Sequence, residues 1–237
     1  MFPIRDHNPS ANTPYVTYGL IAMNVVVFLL TSQLDDTALQ RVITTYGMIP
    51  QDVMAGRANI SLITHMFLHG GWMHLLGNML FLWIFGDNME DAMGHRRFAL
   101  FYLGSGLCAA ALQIAADPAS PWPMVGASGA IAGVLGGYLL LYPRARVDVL
   151  FIFIIFFRIF AIPAWIVLGV WFGLQIISSG ADDGVAYMAH IGGFLGGLAL
   201  AYPVWRGKGG RAFWANNAGT PSNPPTSPST IPRVVRK

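Results

Sequence analysis

A serine, two histidines and an asparagine stand in stretches where nearly every other residue is apolar or small. They are His74 and Asn78 in HGGWMHLLGNM (69–79), Ser128 in GASG (126–129) and His190 in AHIGGFLGG (189–197). A serine hydroxyl is a weak nucleophile until a neighbouring base takes its proton, and histidine is the side chain best matched to that task near neutral pH. Ser128 and His190 are therefore the candidate nucleophile and base for acyl transfer. His74 and Asn78 are i and i+4, so a helix sets them on one face, about 6 Å apart along its axis, where both can point at one reacting oxygen. Gly126 and Gly129 flank Ser128 and let the backbone bend sharply into a helix N-terminus. Free N–H groups and the helix dipole there favour a developing negative charge, which is what an oxyanion site requires.

Each of these residues also has a plainer reading. A serine in a Gly-rich membrane helix more often packs than reacts, and a lone intramembrane histidine is only suggestive. A metal site is the chemical rival, because His65 and His69 are i and i+4 and His74 and His190 could complete a set. It would have no Asp or Glu at that depth and would leave the GASG serine without a purpose, so no metal and no cofactor is expected. His65 and His69 read as structural hydrogen-bonders, with His69 supporting the site, and His7 and His95 as surface residues. Cys108, the only cysteine, cannot form an intramolecular disulfide and reads as a packing residue.

The elements that must position these groups are membrane helices. Of 237 residues, 54% are hydrophobic and 11% charged, against roughly 45–50% and about 25% in ordinary soluble domains, which argues against a water-soluble fold. Apolar spans bounded by Pro, Gly, Asp or Arg run over residues 15–33, 71–87, 97–116, 127–142, 161–179 and 186–205, most of them long enough to cross the roughly 30 Å hydrocarbon core. The expected fold is thus all-α, a polytopic membrane bundle of six transmembrane helices occupying residues 15–205. Residues 1–14 form a short N-terminal segment with neither signal-peptide nor transit-peptide character. Residues 206–237, rich in Pro, Ser, Thr, Asn and Gly, read as a disordered tail.

Two segments fall outside this count. VDVLFIFIIFFRI (148–160) is apolar but too short to span before Arg158 and Pro163, and reads as a buried or interfacial connection. The connection 34–70 is too long for a turn and is expected to hold a structured element in the membrane interface.

Lys and Arg in the connections orient the bundle. With the N-terminus cytoplasmic, that side holds Arg5, Arg96, Arg97, Arg144, Arg146, Arg158, Arg206, Lys208, Arg211, Arg233, Arg236 and Lys237, while the opposite side holds only Arg41 and Arg57. Both termini are therefore expected in the cytoplasm, of a bacterial inner membrane given the small size. The net charge of +3 and the pI near 9.2 come from these scattered topology signals, so no nucleic-acid partner is expected.

That orientation gives the polar residues a common depth. Helices two, four and six of the six enter from the outside, so His74, Asn78, Ser128 and His190 converge on the outer third of the bilayer. Helix four carries Gly129, Gly133 and Gly137, and helix six carries Gly192, Gly193, Gly196 and Gly197. Such small-residue faces let helices approach closely in lipid, and packing them together would bring Ser128 within reach of His190.

Over residues 15–205 the chain resembles the rhomboid intramembrane serine proteases, through HGGWMHLLGNM, the Glu90-x-x-x-Gly94 step, GASG and AHIGGFLGG. The resemblance implies a Ser128–His190 dyad with no acidic third member. It also implies an oxyanion held by His74, Asn78 and the Ser128 N–H, site support from Gly126, Gly129, His69, Gly193 and Gly197, and cleavage of transmembrane segments of other membrane proteins within the lipid bilayer. The alternative is a catalytically silent relative that binds or extracts membrane clients. A transporter is disfavoured by the lack of an inverted repeat and of intramembrane acidic residues. The chain departs from the family pattern at Ile60 and Ser61, where many members have a Trp-Arg pair, and at Ala132, where some place a Tyr beneath the base. The oligomeric state has no sequence signal.

Overall fold

Where the apolar runs meet Pro, Gly or a charge, the helices begin and end. The computed structural model describes residues 2–217 and 219, apart from residues 9, 58, 154, 155 and 182. Its elements are, in chain order, β1 (Phe2–Asp6), α1 (Tyr15–Thr31), the short α2 (Asp36–Tyr46), α3 (Pro50–Met54) and α4 (Ser61–Thr64), then α5 (Trp72–Met93), α6 (His95–Ala116) and α7 (Ser128–Leu141). The strands β2 (Arg146–Phe153) and β3 (Phe156–Pro163) follow, and then α8 (Ala164–Ser178), α9 (Tyr187–Gly207) and α10 (Arg211–Asn217).

The six expected spans correspond to α1, α5, α6, α7, α8 and α9. Of these, α6 and α9 are by themselves long and apolar enough to cross a bilayer, and α1, α7 and α8 are shorter apolar helices. Large apolar side chains such as Leu100 and Ile177, 71% and 80% exposed, face outward, as lipid-facing surfaces do and as a soluble monomer avoids. At the centre lies α7, buried at every position from Gly129 to Tyr138. It packs on α5, α6, α8 and α9, most extensively on α9.

The α7–α9 contact is built on absent side chains. A Cβ on Gly193 would lie 1.9 Å from the Gly129 carbonyl oxygen, and one on Gly197 would lie 2.0 Å from that of Gly133. Only glycine permits that approach, so Gly129 and Gly133 meet Gly193 and Gly197 as expected, while Gly192 and Gly196 instead face Cys108 of α6.

Helix α5 runs past residue 87, where the expected span ends, to Met93, because the charges beyond that point are put to use. Glu90, 1% exposed, accepts from the N–H groups of Val16 and Thr17 at 2.9 and 2.8 Å and from the Thr17 hydroxyl at 2.7 Å, tying down the first turn of α1. His95 bonds the same carboxylate, and Asp91 accepts from Ala11 and Asn12. Gly94, at φ +79°, ends the helix, and the left-handed turn suits glycine.

On either side of residues 154 and 155, the connection 148–160 forms two antiparallel strands. Its β-branched and aromatic residues suit strands, and β2 pairs antiparallel with both β1 and β3. Asp148 of β2 takes Arg5 at 2.9 Å and His7 at 2.6 Å, and Asp6 receives Asn88 at 2.8 Å and the Tyr138 hydroxyl at 3.0 Å. His7 and His95, read as plain surface residues, are thus each bonded to a carboxylate. Of the stretch read as a disordered tail, residues 211–217 form α10, held by the Trp214 indole N–H on the Leu140 carbonyl at 3.0 Å. Residues 218 and 220–237 lie outside the described residues.

Candidate active site

Ser128 is the first residue of α7, so its N–H and the next ones have no partner within the helix. The chain arrives there through Gly126 at φ +127°, a conformation that L side chains resist. A Cβ on Gly126 would lie 2.6 Å from His74 Nε2 and 3.6 Å from Ser128 Oγ, so the missing side chain also leaves room for the His74 ring. Gly129 serves differently from the bend expected of it. It is already helical, and a Cβ there would strike Ala109 of α6 at 2.6 Å.

Two links hold the approach to Ser128 in place. Met48 and Met124 exchange backbone hydrogen bonds of 2.9 and 2.8 Å, and the Gly126 N–H donates to the His65 carbonyl at 2.9 Å. His65 is 1% exposed, and its Nδ1–H donates to the Ser61 carbonyl at 2.7 Å. Burial pushes its titration down to about 4 against the pull of that bond, so at neutral pH it is an uncharged structural group. Through its carbonyl, the 34–70 connection anchors the nucleophile's loop without a Trp-Arg pair. Ser61 supplies the carbonyl, and Ile60 is 65% exposed.

His190 of α9 faces Ser128 across the glycine contact, its Nε2 2.8 Å from Ser128 Oγ. On the other side of the ring, Nδ1 lies 2.7 Å from Gln175 Oε1 on α8. Trp171 and Tyr187 flank the imidazole at centroid distances of 5.9 and 6.3 Å. The ring is thus held by Gln175 and Trp171 of α8 and by Tyr187 of its own helix, with Ala132 where the family pattern in some members has a Tyr.

His74 and Asn78 share the inward face of α5. Asn78 is 7% exposed, and its Nδ2 has no hydrogen-bond partner. A buried, unused donor is costly in a finished structure. The Gly70 N–H points at His74 Nδ1 at 3.4 Å, a long contact that leaves Nε2 as the protonated nitrogen on the Ser128 side. His69 stacks edge-on to His74 at 5.0 Å, with both its ring nitrogens buried and unpartnered.

Ser128, His190 and His74 line one cavity of about 790 Å³, with Gln113, Trp122 and Val185 among its other walls, whereas Asn78 and His69 lie behind that lining. A second cavity, of about 50 Å³ beside Glu90 and His95, holds no such pair. Among the described residues, no three His, Cys, Asp or Glu side chains are placed to share a metal ion.

Two glutamines escaped the sequence reading. Gln175 bonds His190, and Gln113 Oε1 accepts from the Ala189 N–H at 3.1 Å, steadying the start of α9. The criterion that singled out Asn78, an amide inside an apolar helix, applies equally to both. Gln175 stands near the C-terminal end of α8, level with His190.

A family model described as the rhomboid domain matches residues 57–207. The chain is 32% identical over 197 residues to "Rhomboid protease GluP" of Bacillus subtilis (strain 168), a match covering 83% of this chain and 36% of that protein. It is 31% identical over 197 residues to "Rhomboid protein 1, mitochondrial" of Saccharomyces cerevisiae, covering 80% and 53%. Against "RHOMBOID-like protein 4" of Arabidopsis thaliana it is 32% identical over 166 residues, covering 67% and 37%. The chain spans between about a third and a half of the length of these relatives.

Proposed function

The chain belongs to the rhomboid family and is an integral membrane protein, and we propose that it is a serine endopeptidase that cuts transmembrane segments of other membrane proteins, with Ser128 as nucleophile and His190 as base. The observation that carries this reading is the 2.8 Å approach of His190 Nε2 to Ser128 Oγ, made by two helices that meet through glycine, inside a cavity large enough for an unwound peptide segment.

In this mechanism a substrate helix leaves the lipid, reaching the cavity past α8 and the 180–185 connection, and unwinds locally, because a helical peptide bond is shielded from attack. His190 Nε2 takes the Ser128 proton as Oγ adds to the carbonyl carbon. The oxyanion is held by Asn78 Nδ2, His74 Nε2–H and N–H groups of the first turn of α7, placed where the charge develops. His190 then gives its proton to the leaving amine, and an acyl-enzyme remains. Water, retained by the polar wall of the cavity because lipid cannot supply it, is deprotonated by His190 and releases the second product. The distribution of Lys and Arg over the connections supports a site toward the outer face of a bacterial inner membrane, with both termini in the cytoplasm.

A fluorophosphonate probe tests the pair without a substrate, since Ser128 Oγ would displace fluoride from phosphorus. In detergent, mass spectrometry should find the adduct on Ser128 of the wild type, none on Ser128→Ala, and labelling of His190→Ala slowed by at least about 10²-fold. An adduct confined to other residues, or equal labelling rates with and without His190, would refute the reading.

A further inference from the structure

We propose that Gln175 is a positioning residue for the reaction: its side-chain carbonyl holds His190 as the Nδ1–H tautomer and so leaves Nε2 bare toward Ser128. This rests on the serine-protease reading and adds to it a third member that the family resemblance does not supply.

The geometry points to it in three steps. First, Gln175 is the polar member of the packing face of α8, whose other buried residues are Ala164, Val167 and Leu168. An amide at 9% exposure amid apolar neighbours needs partners for both its oxygen and its nitrogen. Second, the amide's orientation is fixed from its own helix. Nε2 donates to the Trp171 carbonyl at 3.1 Å, an acceptor that could not serve the amide oxygen, so Oε1 is the atom turned to His190. Third, an amide oxygen can only accept, so the Nδ1 atom 2.7 Å away must carry a hydrogen. A neutral imidazole with hydrogen on Nδ1 has its lone pair on Nε2, the nitrogen that faces Ser128 Oγ. The chain Trp171 O, Gln175, His190, Ser128 is therefore consistent in only one direction, and that direction makes Nε2 a base.

Gln175 differs from the carboxylate of a serine-protease triad in being uncharged. It sets tautomer and ring orientation, the role by which the wrong tautomer costs about 10⁴-fold in kcat where it has been imposed on a triad, but it adds no negative charge to steady the imidazolium. A smaller dependence is expected, because the ring also lies against Trp171 and Tyr187.

The test is a pair of variants read by tautomer and by turnover. Gln175→Leu keeps size and removes the acceptor, whereas Gln175→Glu keeps an acceptor for Nδ1–H. In full-length protein labelled with ¹⁵N-histidine, the wild type and Gln175→Glu should show His190 protonated at Nδ1, and Gln175→Leu should shift toward the Nε2–H form. On a single-pass model substrate, kcat of Gln175→Leu should fall roughly 10- to 10³-fold with KM within about twofold, and Gln175→Glu should recover most of it. An unchanged tautomer in Gln175→Leu, or a loss in both variants confined to KM, would overturn the proposal. Should the wild type cut nothing, the protease reading fails, while the tautomer measurement still decides what Gln175 does to His190.

Discussion

A hydroxyl in a hydrocarbon environment gains nothing by ionising alone, so the account at Ser128 depends on the groups that meet it: a bare imidazole nitrogen at 2.8 Å and donors waiting for charge. Asn78 separates binding from chemistry among those donors, because its buried Nδ2 has no partner at rest. Asn78→Ala should lower kcat by about 10²–10³-fold, as loss of one oxyanion donor does elsewhere, leaving KM near the wild-type value and some activity above Ser128→Ala. Initial rates on a model substrate measure both. Complete loss together with a lowered melting temperature would instead make Asn78 a structural residue. At this scale the sequence singled out Ser128, His190 and His74, which line one cavity, because each is a polar residue in an apolar stretch. It was not legible where the evidence was a hydrogen bond. Gln175 lies 15 residues from His190 on another helix, and nothing in its neighbours announces the contact.

Elements carry the distances those residues need, and here they do so through glycine. The 2.0 Å gap between a Gly197 Cβ and the Gly133 oxygen cannot be relieved by turning a side chain, since the obstacle is backbone. Gly197→Leu should therefore push α9 from α7 and destabilise the protein by about 1–3 kcal/mol or more, slowing fluorophosphonate labelling in parallel. Gly169→Leu on α8, with nothing within 4 Å of its Cβ, should leave both near wild type. Thermal unfolding in detergent checks the pair, and equal effects would mean the glycine contact is not what sets the catalytic distance. The spacing of these glycines was readable, because small residues recur every three or four positions on α7 and α9. The extension of α5 was not, since charges bound an apolar span whether or not the helix goes on, and the Glu90 carboxylate finds its partners, the N–H groups of Val16 and Thr17, more than 70 positions away. Likewise, residues 148–160 showed apolar character and β-branching but not their partner, β1, more than 140 positions away.

For the whole molecule the claim is that a membrane bundle opens a water-holding cavity to a peptide that arrives through lipid. Six helices position the reacting groups, the 34–70 connection pins the loop before Ser128, and the β-sheet and α10 pack at the other end of α7, away from the chemistry. Charge counting over the connections predicted one depth for four distant polar residues, and three of them, His74, Ser128 and His190, line one cavity. The docking of α10 on Leu140 had no such signal, because a seven-residue helix in a polar stretch has little periodicity to read. The central claim is tested most directly by incubating the purified protein, in detergent and in proteoliposomes, with a single-pass substrate whose transmembrane segment carries small and helix-weakening residues. Wild type should release two fragments cut within or at the edge of that segment, and Ser128→Ala should release none. Equal cleavage by both proteins would contradict the account at its centre, and an intact substrate that co-purifies with both would replace a protease with a client-binding relative.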